Sequence, residues 1–142
     1  MTGLPRQRHL GWLSAVAWGL LLSLTCGCKK EMPAEILGTW TSVEELEDGS
    51  RWSLTYIIGP KRYWVSGDPP TVEGGLVAVD AVDCRRYHLV FTERVANGEL
   101  APDINVWVEL SHDGSQMRWQ EHLYRRVSDV REPGDDYRYD PS

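Results

Sequence analysis

Helix, basic charge and cysteine are what this chain has least of. Past Cys28 no stretch keeps a helical apolar period for more than a turn or two, and no internal repeat is present, which excludes bundles, coiled coils and solenoids. The 15 Lys and Arg are outnumbered by 21 Asp and Glu, so there is no basic patch for nucleic acid or anionic lipid. Three cysteines are too few for a disulfide framework. His88, His112 and His122 lack metal-ligand spacing. Asp80 and Asp83, near Cys84 and His88, fall on opposite faces of an extended strand and form no catalytic cluster. Neither an enzymatic activity nor a cofactor or metal is expected.

Long apolar runs are also missing, with one exception. Leu10 to Leu24 is uncharged and mostly apolar, yet shorter than the roughly 20 residues of a spanning helix. Arg6, Arg8 and His9 precede it and small residues with cysteines follow, the order of an export signal. Gln7 separates the arginines, which argues against a twin-arginine signal. Leu24-Thr25-Cys26-Gly27-Cys28 resembles the lipobox of bacterial lipoproteins. The resemblance implies cleavage before Cys28 and acylation there, palmitate among the chains, with Cys26 as the alternative site. Each buried methylene gives about 0.8 kcal/mol, so several chains on one residue hold a domain at a membrane almost permanently. Lys29 follows the cysteine where an Asp retains some Gram-negative lipoproteins at the inner membrane. The outer membrane, facing the periplasm, is the expected location.

Loss of residues 1–27 as a signal peptide leaves 115 residues carrying 13 Lys and Arg against all 21 acidic residues, a net charge of −8. That length suits one domain. Residues 28–34 read as a polar tether, 35–127 as a β domain, and 128–142 as an acidic tail, four Asp and one Glu with two Pro, expected to be disordered.

Within the β domain the period is two. Trp52, Leu54, Tyr56 and Ile58 alternate with Arg51, Ser53 and Thr55, as in a half-buried strand. Tyr63 and Val65, then Tyr87, Leu89 and Phe91, then Ile104, Val106, Val108 and Leu110 repeat the pattern. Glu47-Asp48-Gly49-Ser50, Gly67-Asp68-Pro69-Pro70 and His112-Asp113-Gly114-Ser115 are turns. Gly74-Gly75 marks a bulge, Asn97-Gly98 opens a loop through Pro102, and Met117 to Val127 reads as one last strand. The expected fold is all-β: a small antiparallel up-and-down barrel, or barrel-like meander, of seven to eight strands.

Glu35-Ile36-Leu37-Gly38-Thr39-Trp40 and the ending Leu123-Tyr124-Arg125-Arg126-Val127 resemble the two ends of lipocalin-like domains, over about residues 35–127. The resemblance implies that Gly38 and Trp40 lie at the barrel base, with Arg125 or Arg126 over the indole. It also implies an interior that takes a small apolar ligand. Trp52, Tyr56 and Trp119 are the candidate ligand-binding residues. Met117, Trp119, Leu123 and Val127 share a parity with Glu121 and Arg125, so those two charges are expected inside as a structural ion pair or a ligand contact. Trp64 and Trp107 fall with polar residues and are candidates for a contact surface. Two roles follow: an envelope lipoprotein that binds a small apolar ligand or serves as a structural module, or a module for an envelope protein partner, such as an inhibitor of a cationic hydrolase.

Overall fold

The computed structural model describes residues 31–134. The signal segment, Cys26 and Cys28, and residues 135–142 of the tail lie outside the described residues. Nine strands follow one another: β1 (Gly38–Glu45), β2 (Arg51–Ile58), β3 (Arg62–Asp68), β4 (Thr71–Asp83), β5 (Arg86–Ala96), β6 (Glu99–Ala101), β7 (Ile104–Leu110), β8 (Gln116–Trp119) and β9 (His122–Ser128). Every pairing is antiparallel, β1 pairs with both β2 and β9, and β4 with β5. The fold is therefore a closed, eight-stranded antiparallel barrel, with β6 as an extra strand on β5. Closure leaves the long strands without free edges.

Two strand boundaries differ from expectation. Asn97-Gly98 is a two-residue turn rather than a loop through Pro102: both residues have positive φ, 51° and 82°, as such a hairpin requires. The returning β6 pairs with Arg94–Ala96, and β7 pairs with Arg86–Phe91 on the same edge of β5. Pro102, which has no N–H to donate, separates the two. The second difference is larger. Met117 to Val127 is a hairpin, β8 and β9, turned at Gln120 with φ of 56°. Parity resets across that turn. Trp119 pairs with His122 and Met117 with Tyr124, so His122, Tyr124 and Arg126 face inward, while Leu123 and Val127 are 42% and 59% exposed. Glu121, in the turn, and Arg125 are exposed. Their expected place inside the barrel is thus overturned.

The barrel has a closed end. Ile36 and Leu37, with Met32, pack beneath Trp40 as part of one core. Met32 therefore belongs to the domain and not to a polar tether. Trp40 is fully buried, donates Nε1–H to the Ile36 carbonyl at 2.9 Å, and lies under the Arg126 guanidinium at 4.3 Å. Arg126 also donates to the carbonyls of Leu37 (2.6 Å) and Glu35. Arg126, not Arg125, covers the indole. Gly38, at φ of 132°, sits where an added Cβ would meet Arg126 Nη1 at 2.7 Å and the Ser128 carbonyl at 2.8 Å, so only glycine fits. Thr39 Oγ1–H donates to the Val130 carbonyl at 2.9 Å, so the folded domain runs a few residues past Val127 into the segment expected to be disordered.

Candidate functional site at the open end of the barrel

Strand direction assigns the loops. The connections after β1, β3, β5 and β8 all lie at the end opposite Trp40. Residues directly paired across a ladder share a face, so register identifies what points into that end. Glu44 pairs with Trp52, Tyr56 with Val65, Val65 with Glu73, and Trp119 with His122. Below them Tyr63, Phe91 and Leu89 are fully buried and fill the middle of the barrel.

Three rings form the floor of the mouth. Tyr56 lies 4.7 Å from Trp119 and 5.5 Å from Tyr124, centroid to centroid, and Trp119 lies 5.9 Å from Tyr124. Tyr124 and Trp119 are only 3% and 7% exposed. Yet neither tyrosine hydroxyl nor the Trp119 indole N–H is bonded to another described residue, and among those residues no buried side-chain polar atom is both sealed from solvent and unpartnered. Each of the three polar atoms therefore keeps some contact with solvent. A donor on an otherwise buried ring needs a partner from outside the chain, water or ligand.

Two hydrogen-bonded side-chain pairs flank the rings. Glu73 Oε1 accepts from Tyr63 Oη at 2.6 Å and Arg94 Nε at 2.8 Å, and lies 2.8 Å from Arg94 Nη2. These side chains are 13% and 14% exposed. On the other side His122 Nδ1–H donates to Glu44 Oε1 at 2.5 Å, and its ring meets Trp52 edge-on at 5.3 Å. Burial, reinforced by Glu44, pushes the Tyr124 hydroxyl up to about 12. Tyr56 is driven higher still, by burial first and then by Tyr124 and Glu73. Burial opposes the charge on Arg94, but Glu73 and Tyr63 outweigh it and raise its pKa.

Of the candidate ligand residues, Trp52, Tyr56 and Trp119 come together here, while Glu121 and Arg125 do not. An internal ion pair does exist, but it is Glu73–Arg94. Arg94 turns inward because Glu93, at φ of 49°, interrupts the alternation of β5, a break that no Gly or Pro announces. His122, expected on a polar outer face, is inside for the reason given above. Tyr63 was on the correct parity, and its neighbour Gly75 leaves room for its ring at 3.1 Å from a notional Cβ.

Elsewhere the arrangements are simpler. On the outside of β5 and β7, His88 Nδ1–H donates to Asp80 at 3.1 Å, His88 Nε2 lies 3.2 Å from Asn105 Oδ1, and Trp107 stands between His88 and the Arg86 guanidinium, each about 5.1 Å from it. Asp80 reaches His88 because the β4–β5 register shifts between Val79 and Ala81. At the closed end an open cleft of about 610 Å³ runs between Gly59–Arg62, Trp64 and the Glu132–Pro133 segment. Trp64 and Trp107 are thus on separate faces. Among the described residues no group of three His, Cys, Asp or Glu is placed to hold a metal.

Compared with known proteins, the chain matches no family model, no curated protein and no solved structure.

Proposed function

We propose that the protein is an envelope lipoprotein, anchored through Cys28, whose lipocalin-like barrel binds a small, largely apolar ligand at its open end. The observation that carries this reading is the trio of donors on two buried rings and one half-buried ring, Tyr124 Oη, Trp119 Nε1 and Tyr56 Oη, that no described residue satisfies. Rings supply the apolar contact and a few fixed donors supply orientation, which is how small-molecule sites are generally built. The cleft at the closed end supports the reading less. Its walls are the β2–β3 turn, the start of β3 and the tail segment, and among the described residues it holds no sealed polar group in need of a partner. No catalytic step is assigned.

The test is extraction. The full chain, purified in nonionic detergent from its own host, is denatured and its small molecules are analysed by mass spectrometry. A stoichiometric compound that restores the native Trp signal when returned supports the reading. A clean protein with no such compound, and no Trp response to a host envelope extract, overturns it. In that case the second reading takes over, because Trp107 is 42% exposed beneath Arg86: a protein partner, docked on the outer face, is then sought by cross-linking from that position.

A further inference from the structure

We propose that the barrel stands on the bilayer with its closed end down, so that the closed end rests on the phospholipid surface and the open end faces the aqueous compartment. The inference rests on the anchor at Cys28 and adds the direction of the barrel, which the anchor alone leaves open. Tether length is the first argument. Met32 is fixed in the closed-end core at 9% exposure, and the next residue, Pro33, accepts a hydrogen bond from Ile36 N–H at 3.0 Å. Cys28 precedes Met32 by four residues, which reach at most about 14 Å when fully extended. The eight residues of β1 run about 26 Å from the closed end toward the open one. With strands tilted by about 40°, that is about 20 Å along the barrel axis. The tether is too short to pass the barrel wall. An acylated Cys28 therefore holds the closed end near the headgroups and cannot bring the open end there.

Charge is the second argument. At the open end the turns and strand-terminal residues carry Glu45, Glu47, Asp48, Asp68, Glu99 and Glu121, with Arg51 alone against them. At the closed end Lys61, Arg62, Arg85, Arg86 and Arg131 stand against Glu31, Glu35, Asp83, Asp113, Asp129 and Glu132, so that end is close to neutral. An anionic bilayer repels the first end and tolerates the second, and each Lys or Arg held near such a surface is worth about 1 kcal/mol. Lys61 and Arg62 are exposed, their side chains have no partner among the described residues, and with Trp64 they line the cleft of about 610 Å³. Cations beside an indole suit a headgroup phosphate and the acyl boundary below it. With the barrel so placed, whatever the open end binds arrives from the aqueous side and not out of the host bilayer.

The test measures depth on the full lipidated chain, in vesicles of phosphatidylethanolamine and phosphatidylglycerol that carry a headgroup-linked nitroxide quencher. Cys84, a free and exposed thiol in the β4–β5 connection, takes a fluorescent label at the closed end. Cys84→Ser/Glu47→Cys carries the same label at the open end. The closed-end label is expected to be quenched several-fold more strongly than the open-end one. Lys61→Glu/Arg62→Glu is expected to lower the closed-end quenching while the protein stays with the vesicles, and an unchanged value there overturns the part given to these two cations. The two labelled proteins decide the placement even if the charge-reversed variant does not fold. Equal quenching of the two labels, stronger quenching at the open end, or none at either, in protein that floats with the vesicles, overturns the placement and leaves the anchor intact. Protein that carries no acyl mass on Cys28 and fails to float removes the anchor, and the placement with it.

Discussion

The inward ion pair makes the sharpest prediction about stability. Glu73 Oε1 is the shared acceptor of Tyr63 and Arg94, so Glu73→Gln keeps the volume and removes the charge that Arg94 needs. Arg94 then retains only the Tyr63 hydroxyl at 3.3 Å and the Pro102 carbonyl. Stranding one partner of a buried pair costs about 3–5 kcal/mol. The mouth admits some water to these side chains, 13% and 14% exposed, so the lower figure, about 3 kcal/mol, applies. At about 4–8 °C per kcal/mol for a domain of this size, the midpoint of thermal unfolding falls by about 12–24 °C. The double variant Glu73→Leu/Arg94→Met, which removes both charges, returns to within about 1 kcal/mol of the parent. Urea denaturation followed by Trp fluorescence measures all three, provided the slope is unchanged. A Glu73→Gln protein within about 0.5 kcal/mol of the parent, with no recovery in the double variant, refutes the buried pair.

Three further predictions are independent of it. Gly38→Ala forces a Cβ into the Ser128 carbonyl and Arg126 at a positive φ, and is expected to destabilise by about 2–4 kcal/mol in the same urea assay, whereas Gly49→Ala, open around its notional Cβ, costs about 1 kcal/mol. Tyr56, Tyr63, Tyr87 and Tyr124 all have raised folded-state pKa values, each from burial first, Tyr87 and Tyr124 to about 12. Unfolded tyrosine ionises near 10, so the stability linked to these groups is complete below about pH 10 and lost as pH rises toward 12. Absorbance titration at 295 nm is expected to show delayed phenolate formation in the native protein and a single step near pH 10 in denaturant. Cys28→Ala is expected to abolish incorporation of labelled palmitate and to release the protein from the membrane fraction, whereas Cys26→Ala leaves both unchanged.

Much of the barrel was legible because its strands are half buried. β2, β7 and β5 as far as Phe91 alternate cleanly, and the Gly-rich turns and the Gly74-Gly75 irregularity sit where the chain needs room. The rest fails at places where an ordinary side chain adopts a special backbone conformation. Gln120 and Glu93 both have positive φ without being glycine. One converts a strand into a hairpin, and the other turns Arg94 inward. Each break flips parity for every residue beyond it, which is why Glu121 and Arg125 were expected inside and Tyr124 and His122 were not. Of the site, Trp52, Tyr56 and Trp119 were readable from alternation. Glu73 and Arg94 were not, because a pair 21 residues apart on different strands leaves no local pattern.

Indole NMR tests the open mouth most directly. Trp40 Nε1–H is bonded inside the closed end, while Trp119 Nε1–H has no partner among the described residues. In nitrogen-labelled protein stripped of ligand, the Trp119 indole proton is predicted to exchange rapidly with solvent, and to shift and become protected when a host envelope extract is added. The Trp40 signal stays protected and unmoved throughout. Equal protection of both protons in the stripped protein, with no response of Trp119 to the extract, contradicts the account.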